Sequence, residues 1–172
     1  MGRDKSRLRV GARSLLGHAR HLASELGLPV RVIRRDLVPR CGPLGGILTA
    51  LCTTKAGADL FLACDMPFVT PTLLKRLLDR LRRGSRAVFV EVDGVVGFPF
   101  VLEAGCLPVV ERQMALGKFS LQALAGKLGA DRVSPVRSHN REAFNVNTNA
   151  EFREARRVAL EPARRARRAD RH

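Results

Sequence analysis

The stretch Asp59-Leu60-Phe61-Leu62-Ala63-Cys64-Asp65-Met66-Pro67 constrains this chain more than any other. Five apolar residues run unbroken from Leu60 to Cys64 and stop at a carboxylate, two residues before a proline. A run that short and that apolar reads as a strand buried on both faces of a parallel sheet. In open α/β sheets ligands sit beyond the carboxyl ends of the strands, which is where Asp65 falls. A carboxylate at that depth needs a cation or a hydrogen-bond donor; the plainer alternative is an Asp that caps the following turn. Thr70-Pro71 then opens a helix, with Thr70 as N-cap and Pro71 at its first position. Leu73, Leu74, Leu77, Leu78 and Leu81 form its inward stripe, and Gly84 is its stop.

Upstream, Leu8 and Val10 suggest a short extended piece before Gly11. Leu15, Leu16, Ala19, Leu22, Ala23 and Leu26 follow helical spacing, with Ser14 as N-cap and Gly27 as the stop. His18, His21 and Glu25 fall on the opposite face; that spacing suits a metal, but a solvated polar face is the simpler reading. Val30, Val32 and Ile33 suggest a strand ending near Asp36. Cys41-Gly42-Pro43-Leu44-Gly45-Gly46 then runs into a helix carrying Ile47, Leu48 and Leu51. Free N–H groups and the helix dipole at such a loop favour an anion, and its glycines let a ligand approach the backbone. Many glycine-rich turns nevertheless only reverse the chain.

Downstream, Arg86 to Val92 is rich in β-formers, Asp93-Gly94 is a hairpin turn signal, and Phe98 to Leu102 returns with Pro99 at an edge or bulge. Leu107–Leu116 reads as a helix stopped by Gly117, and Ser120 starts another. Arg132–Val136 suggests a strand, and Phe144-Asn145-Val146-Asn147 a short extended segment. Thr148-Asn149-Ala150-Glu151 is a capping box; its helix is expected to end before Pro162. Residues 162–172, arginine-rich and without an apolar face, are expected to form a disordered basic tail. Residues 1–161 then make one α/β domain, long enough for a real core.

The formal net charge of +15 raises the question of a polyanionic partner. The chain has no Trp and no Tyr, so it lacks the commonest platforms for stacking single-stranded bases. Its excess of Arg over Lys, beside abundant Ala, Leu and Gly, looks like codon bias as much as function. Nucleic acid is therefore not the expected partner, although the tail could grip a polyphosphate. Four scattered cysteines with no CxxC pair argue against a zinc knuckle or a disulfide framework and fit a reducing cytoplasm. No stretch has the apolar length of a membrane-spanning helix, and the amino-terminal residues show no signal-peptide pattern.

Polar groups thus fall in connections expected near one sheet edge: Lys5 with Gly2, Asp36 with the Gly42–Gly46 loop, Asp65, and Asn145 with Asn147. A lysine and a backbone anion site beside a metal-seeking carboxylate suit phosphoryl or nucleotidyl transfer, where positioning and charge neutralisation do most of the chemistry. On these residues the chain resembles the MobA-like nucleotidyltransferase family, in its molybdenum cofactor guanylyltransferase branch. Met1-Gly2-Arg3-Asp4-Lys5 is similar to the last five positions of the family's phosphate loop, L-A-G-G-x-S-x-R-M-G-x-D-K. Asp36 with Gly42-Pro43-Leu44-Gly45-Gly46-Ile47 resembles its acidic residue and G-P-L-x-G-I loop. Cys64-Asp65-Met66-Pro67-Phe68 resembles its C-D-M-P-F metal motif, and Phe144-Asn145-Val146-Asn147-Thr148 its F-N-I-N-T motif. The likeness runs from Met1 to about Arg157.

The resemblance implies a three-layer, Rossmann-like nucleotide-diphospho-sugar transferase fold with a mostly parallel sheet. It implies transfer of GMP from GTP to molybdopterin-bound molybdenum, with release of pyrophosphate. Lys5 would neutralise the triphosphate, together with Gly2. Asp36, Gly42, Pro43, Leu44 and Gly45 would lie against the nucleoside. Asp65 would hold Mg²⁺, and Asn145 and Asn147 would contact the pterin. Implied partners are GTP, molybdopterin, and molybdoenzymes or cofactor-delivery proteins. Sugar-nucleotide and cytidylyl relatives tend to carry a second acidic metal ligand where Asn145 and Asn147 stand, which favours the guanylyl branch. The alternatives are another nucleotidyltransferase of the same fold and an inactive basic binding protein. Two departures stand out. The family's first strand and the L-A-G-G-x-S half of its loop would precede Met1, and a further strand expected between Gly27 and Val30 is missing. A truncated or degenerate member that binds GTP poorly is therefore expected.

Overall fold

The computed structural model of the protein describes residues 5–135 and 141–169, and for residues 161–169 the backbone path alone. Gly2 and the end of the expected strand at Val136 lie outside the described residues.

The chain enters through a 3₁₀ turn, Lys5–Arg7, and a hairpin of β1 (Arg9–Val10) and β2 (Arg13–Ser14). Helix α1 (Leu15–Glu25) follows at once; the Ser14 hydroxyl accepts from Gly17 N, and Gly27 takes φ +66° beyond its last turn. An irregular segment leads to α2 (Pro43–Thr53), then β3 (Ala58–Phe61) and α3 (Pro71–Arg82). Strands β4 (Ala87–Val92) and β5 (Val95–Glu103) form a hairpin, followed by α4 (Leu107–Ala115), α5 (Leu121–Leu128), β6 (Asp131–Val133) and α6 (Asn149–Ala169). Thr70 caps α3 through its hydroxyl and Ser120 caps α5 in the same way. Asp93 and Gly94 both hold positive φ (51° and 79°), the pair of left-handed residues that a tight hairpin turn requires.

The main sheet has the order β3-β5-β4-β6. Both β3 and β4 pair antiparallel with β5, and β6 pairs parallel with β4. Three of the four strands therefore share a direction, as expected of a mostly parallel fold, but reversed β5 makes the ladders mixed. Helices cover both faces of this sheet. On one face α2, α4 and α5 bury Leu44, Ile47, Leu51, Val110 and Leu124 against Phe89, Phe100 and Leu102. On the other, α1 and α3 bury Leu22, Leu73, Leu74 and Leu77 against Val88, Val90 and Val101. Phe100 lies at the centre, stacked between Phe61 and Phe89 at centroid distances of 4.8 and 4.6 Å. Pro99 occupies the irregularity where the β4–β5 register shifts, so a central strand accommodates it at a bulge.

Three expectations fail. The strand beginning at Leu60 is shorter and earlier, Ala58–Phe61, and all four of its residues are only half-buried. It is the edge of the described sheet rather than a doubly covered interior strand. Val30–Ile33 forms no strand at all; it is irregular, with Val30 48% exposed, and no described strand pairs with it. A strand forms only where a partner takes up its backbone groups, and none lies beside this segment. Finally, α6 does not stop before Pro162 but continues to Ala169. Proline removes one hydrogen bond from a helix interior, while the alanines and arginines beyond it are strong helix formers.

Candidate active site

Orientation of α2 against β3 decides what lies near Asp65. At the carboxyl end of α2, Thr54 Oγ1 donates to Asp59 Oδ1 at 3.1 Å, so this end of the helix meets the start of β3. Helix α2, 11 residues long, covers about 16 Å at 1.5 Å per residue. Beyond Phe61 the path leaves strand geometry and turns at Cys64-Asp65, and Cys64 lines the same cleft as Pro43 and Gly46. Helix and strand run antiparallel, which brings the Gly42-Pro43 start of the helix to the end of the strand path where Asp65 sits.

Gly42 holds φ +54° at the N-cap, Pro43 occupies the first turn, and no side chain caps the helix. Asp36 is packed against this first turn. A methyl group at Gly45 would stand 2.7 Å from Asp36 Oδ2 and 2.9 Å from the Val38 carbonyl oxygen. Leu37 N donates to Thr49 Oγ1 at 2.8 Å, and Thr49 Oγ1 donates to Gly45 O at 2.8 Å. The acidic residue and the glycine loop are therefore one unit, as expected, and Gly45 is glycine because Asp36 occupies the space of a side chain.

The asparagine segment docks directly on the Asp65 loop. Val146 N donates to Asp65 O at 2.8 Å. Val146 is fully buried among Val10, Leu15 and Ala155, while Asn145 and Asn147 on either side are exposed. In an extended segment alternate residues share a face, so the two asparagines sit on one side with the valine as anchor on the other. Lys5 Nζ donates to Asn147 O at 3.0 Å, which places the lysine at the same edge. Glu151 closes the segment: its Oε2 accepts from Asn147 N (2.8 Å), Thr148 N (2.7 Å) and Thr148 Oγ1 (3.0 Å), while Glu151 N donates back to Thr148 Oγ1 (3.2 Å). Those N–H and O–H donors hold the Glu151 carboxyl below the usual carboxylate range, with nearby Lys5 helping.

Among the described residues the Asp65 side chain has neither a hydrogen bond nor an ion pair, so it does not serve as a turn cap. No group of three His, Cys, Asp or Glu side chains is assembled for a metal among them. His18 Nε2 instead contacts Val10 O at 2.8 Å, and His21 pairs with Glu25 at 3.4 Å, in keeping with the polar-face reading.

One acidic residue escaped the sequence reading. Glu142 is 2% exposed, and its Oε1 accepts a short hydrogen bond from the Thr70 hydroxyl. Its Oε2 is buried without a partner. With Val146 N on Asp65 O, and Phe68 tilted on Phe144 at 6.0 Å, it fastens the loop from Asp65 to Thr70 onto residues 142–146. Nothing near Glu142 in sequence signals this, because its partner lies 72 positions away.

A cleft of about 730 Å³ lies along the free side of β3. Ser6, Pro43, Gly46 and Cys64 line it, each at or next to one of the groups above. The structure thus brings Lys5, Asp36 with the Gly42–Gly45 loop, Asp65, Asn145 and Asn147 to one end of the sheet.

Comparison with known proteins bears on family and fold. Residues 1–133 match the MobA-like NTP transferase domain. The chain is 28% identical over 182 residues to "Probable molybdenum cofactor guanylyltransferase" of Pelotomaculum thermopropionicum, covering 92% of this chain and 87% of that one. With the protein of the same name from Opitutus terrae it shares 30% identity over 150 residues, 77% of this chain and 74% of that one. Its fold is similar to molybdopterin-guanine dinucleotide biosynthesis protein A from Archaeoglobus fulgidus (TM-score 0.70, 17% identity, 93% and 92% covered). It is also similar to 2-C-methyl-D-erythritol 4-phosphate cytidylyltransferase from Thermus thermophilus (TM-score 0.69, 18% identity, 90% and 93% covered). Lysine, glycine loop, strand-end carboxylate and paired asparagines thus stand on a nucleotidyltransferase fold, and the chain belongs to the MobA-like NTP transferase domain family.

Proposed function

We propose that the protein transfers GMP from GTP to molybdopterin-bound molybdenum, forming the guanine dinucleotide cofactor and releasing pyrophosphate. The observation that supports this most is the docking of the Asn145–Asn147 segment on the Asp65 loop through Val146 N and Asp65 O. It sets neutral, outward-facing amides beside a lone carboxylate. The named relatives supply the guanylyl choice.

In this reading the glycine loop and Asp36 hold the nucleoside, and Lys5 draws charge from the triphosphate. A terminal phosphate oxygen of the pterin attacks the α-phosphorus. A new P–O bond forms there, the bond between the α-phosphorus and the bridging oxygen breaks, and its electron pair leaves on pyrophosphate. Asn145 and Asn147 orient the pterin by hydrogen bonding. The donor set fits Mg²⁺, which is usually held by one or two carboxylates with the remaining positions filled by substrate phosphates and water. Asp65, unpartnered at the strand end, is the residue that would hold it. When bound, the ion neutralises the charge that develops on the phosphoryl oxygens.

A pyrophosphate-release assay with molybdenum-loaded molybdopterin and either GTP or CTP tests the reading. GTP should support turnover and CTP should not; preference for CTP would assign the protein to the cytidylyl branch, represented among its structural neighbours. Asp65→Asn should lower kcat by at least about a hundredfold, the scale of losing one charge-stabilising group from a transition state.

A further inference from the structure

Glu142 is 2% exposed, and its Oε2 has no hydrogen-bond partner among the described residues. A buried carboxylate oxygen without a donor costs stability, and an apolar side chain of similar volume would avoid that cost. The other oxygen, Oε1, accepts from the Thr70 hydroxyl. Thr70 Oγ1 in turn accepts from Leu73 N at 3.2 Å as the cap of α3. Its proton therefore goes to Glu142, and the carboxylate is tied to the first turn of that helix.

Residues 65–70 and 142–146 lie side by side and run in opposite directions. Val146 N donates to Asp65 O at 2.8 Å, Phe68 packs on Phe144 at 6.0 Å between ring centroids, and Thr70 donates to Glu142. One segment ascends from 65 to 70 while the other descends from 146 to 142. The two seat on different apolar clusters. Met66 and Val69 pack with Val88 and Val90, whereas Val146 packs with Val10, Leu15 and Ala155. Apolar packing is non-directional, so hydrogen bonds at the two ends of this clasp set the register between the segments. Asp65 and the asparagines stand at one end; Thr70 and Glu142 close the other.

We propose that Glu142 is a positioning residue. Through Thr70 it sets the register of the Asn145–Asn147 segment against the Asp65 loop, and so the spacing between the amides that face the pterin and the Asp65 carboxylate. The pterin-facing half of this inference rests on the guanylyl reading; the clasp does not. The role requires a hydrogen-bond acceptor at Oε1 and not a negative charge. Glutamine therefore serves at this position, and an apolar residue does not, although the apolar residue suits the buried surroundings better.

The Val146 amide reports the clasp directly, because Asp65 O is its partner. Amide hydrogen exchange on the whole chain without nucleotide is compared with urea midpoints for Glu142→Gln, Glu142→Leu and Thr70→Asp. Glu142→Leu should speed exchange at Val146 by at least about tenfold, as local opening does, while β4–β5 amides and the urea midpoint hold or improve. Thr70→Asp keeps an N-cap acceptor for α3 but has no proton to give, and should speed Val146 likewise. Glu142→Gln should match the native chain. Unchanged Val146 exchange in Glu142→Leu, or a Gln variant that behaves like Leu, would overturn the proposal. So would a lower midpoint with faster exchange throughout β4 and β5, because Glu142 would then support the core alone. In turnover, Glu142→Leu should lower kcat/KM for the pterin substrate by at least about tenfold with KM for GTP unchanged, and Glu142→Gln should restore it; equal kcat/KM in Glu142→Leu and the native chain would overturn the positioning role. A native chain that does not turn over GTP would refute the guanylyl reading, and the exchange comparison would still decide the clasp.

Discussion

At the scale of single residues, the site depends on close packing as much as on charge. Gly45 has no room for a methyl group beside Asp36 Oδ2 and Val38 O. Gly45→Ala should therefore displace Asp36 and cost about 1–3 kcal/mol in urea unfolding, the usual penalty for overpacking. Thr148→Ala removes the N-cap hydroxyl of α6 and should cost about 1 kcal/mol in the same measurement. Glu151 carries a pH signature. Its folded carboxyl is held below the usual range by Thr148 and Asn147, so its contribution is complete above the unfolded carboxylate value. It is lost as pH falls through the depressed folded value. Urea midpoints measured downward from neutral pH should fall more steeply for the native chain than for Glu151→Gln at the acid end; parallel curves would refute the assignment. These residue roles divide by legibility. The capping box and Ser14, Thr70 and Ser120 were readable because their partners lie three positions away. Glu142 was not, because Thr70 reaches it only through the fold.

At the scale of elements, β5 is the keystone. It pairs with β3 and β4 and places Phe100 against Phe61, Phe89 and Phe98. Phe100→Ala should cost about 3–5 kcal/mol, with Phe100→Leu much less, as read from chemical denaturation. The β4–β5 hairpin was legible from Asp93-Gly94, since only a few residue types accept two successive left-handed conformations. The fate of β3 was not. An unbroken apolar run indicates that both faces can be covered, yet coverage and pairing are supplied by other parts of the chain. Val30–Ile33 shows the same limit, because its residues favour a strand while strand formation needs a neighbour.

At the scale of the whole molecule, helices on both faces deliver separate loops to one end of the sheet, and the chain as a whole carries a large positive charge. A net charge of +15 is self-repulsive, and salt screens such repulsion over roughly 10 Å at 0.1 M. The urea midpoint should rise between about 20 and 300 mM sodium chloride, over which the Debye length shortens roughly fourfold; a flat or falling midpoint would show that local ion pairs dominate. No helix among the described residues is long and apolar enough to cross a membrane. By itself the sequence determined the local features: caps, glycine stops, the hairpin turn, the apolar stripes and the identity of the polar groups. Each of these depends on residues a few positions apart. Only the tertiary structure decided that α2 runs antiparallel to β3, that Val146 anchors the asparagines on the Asp65 loop, and that β3 ends the described sheet. Those outcomes depend on which distant backbone and side-chain groups meet, and no local pattern encodes that.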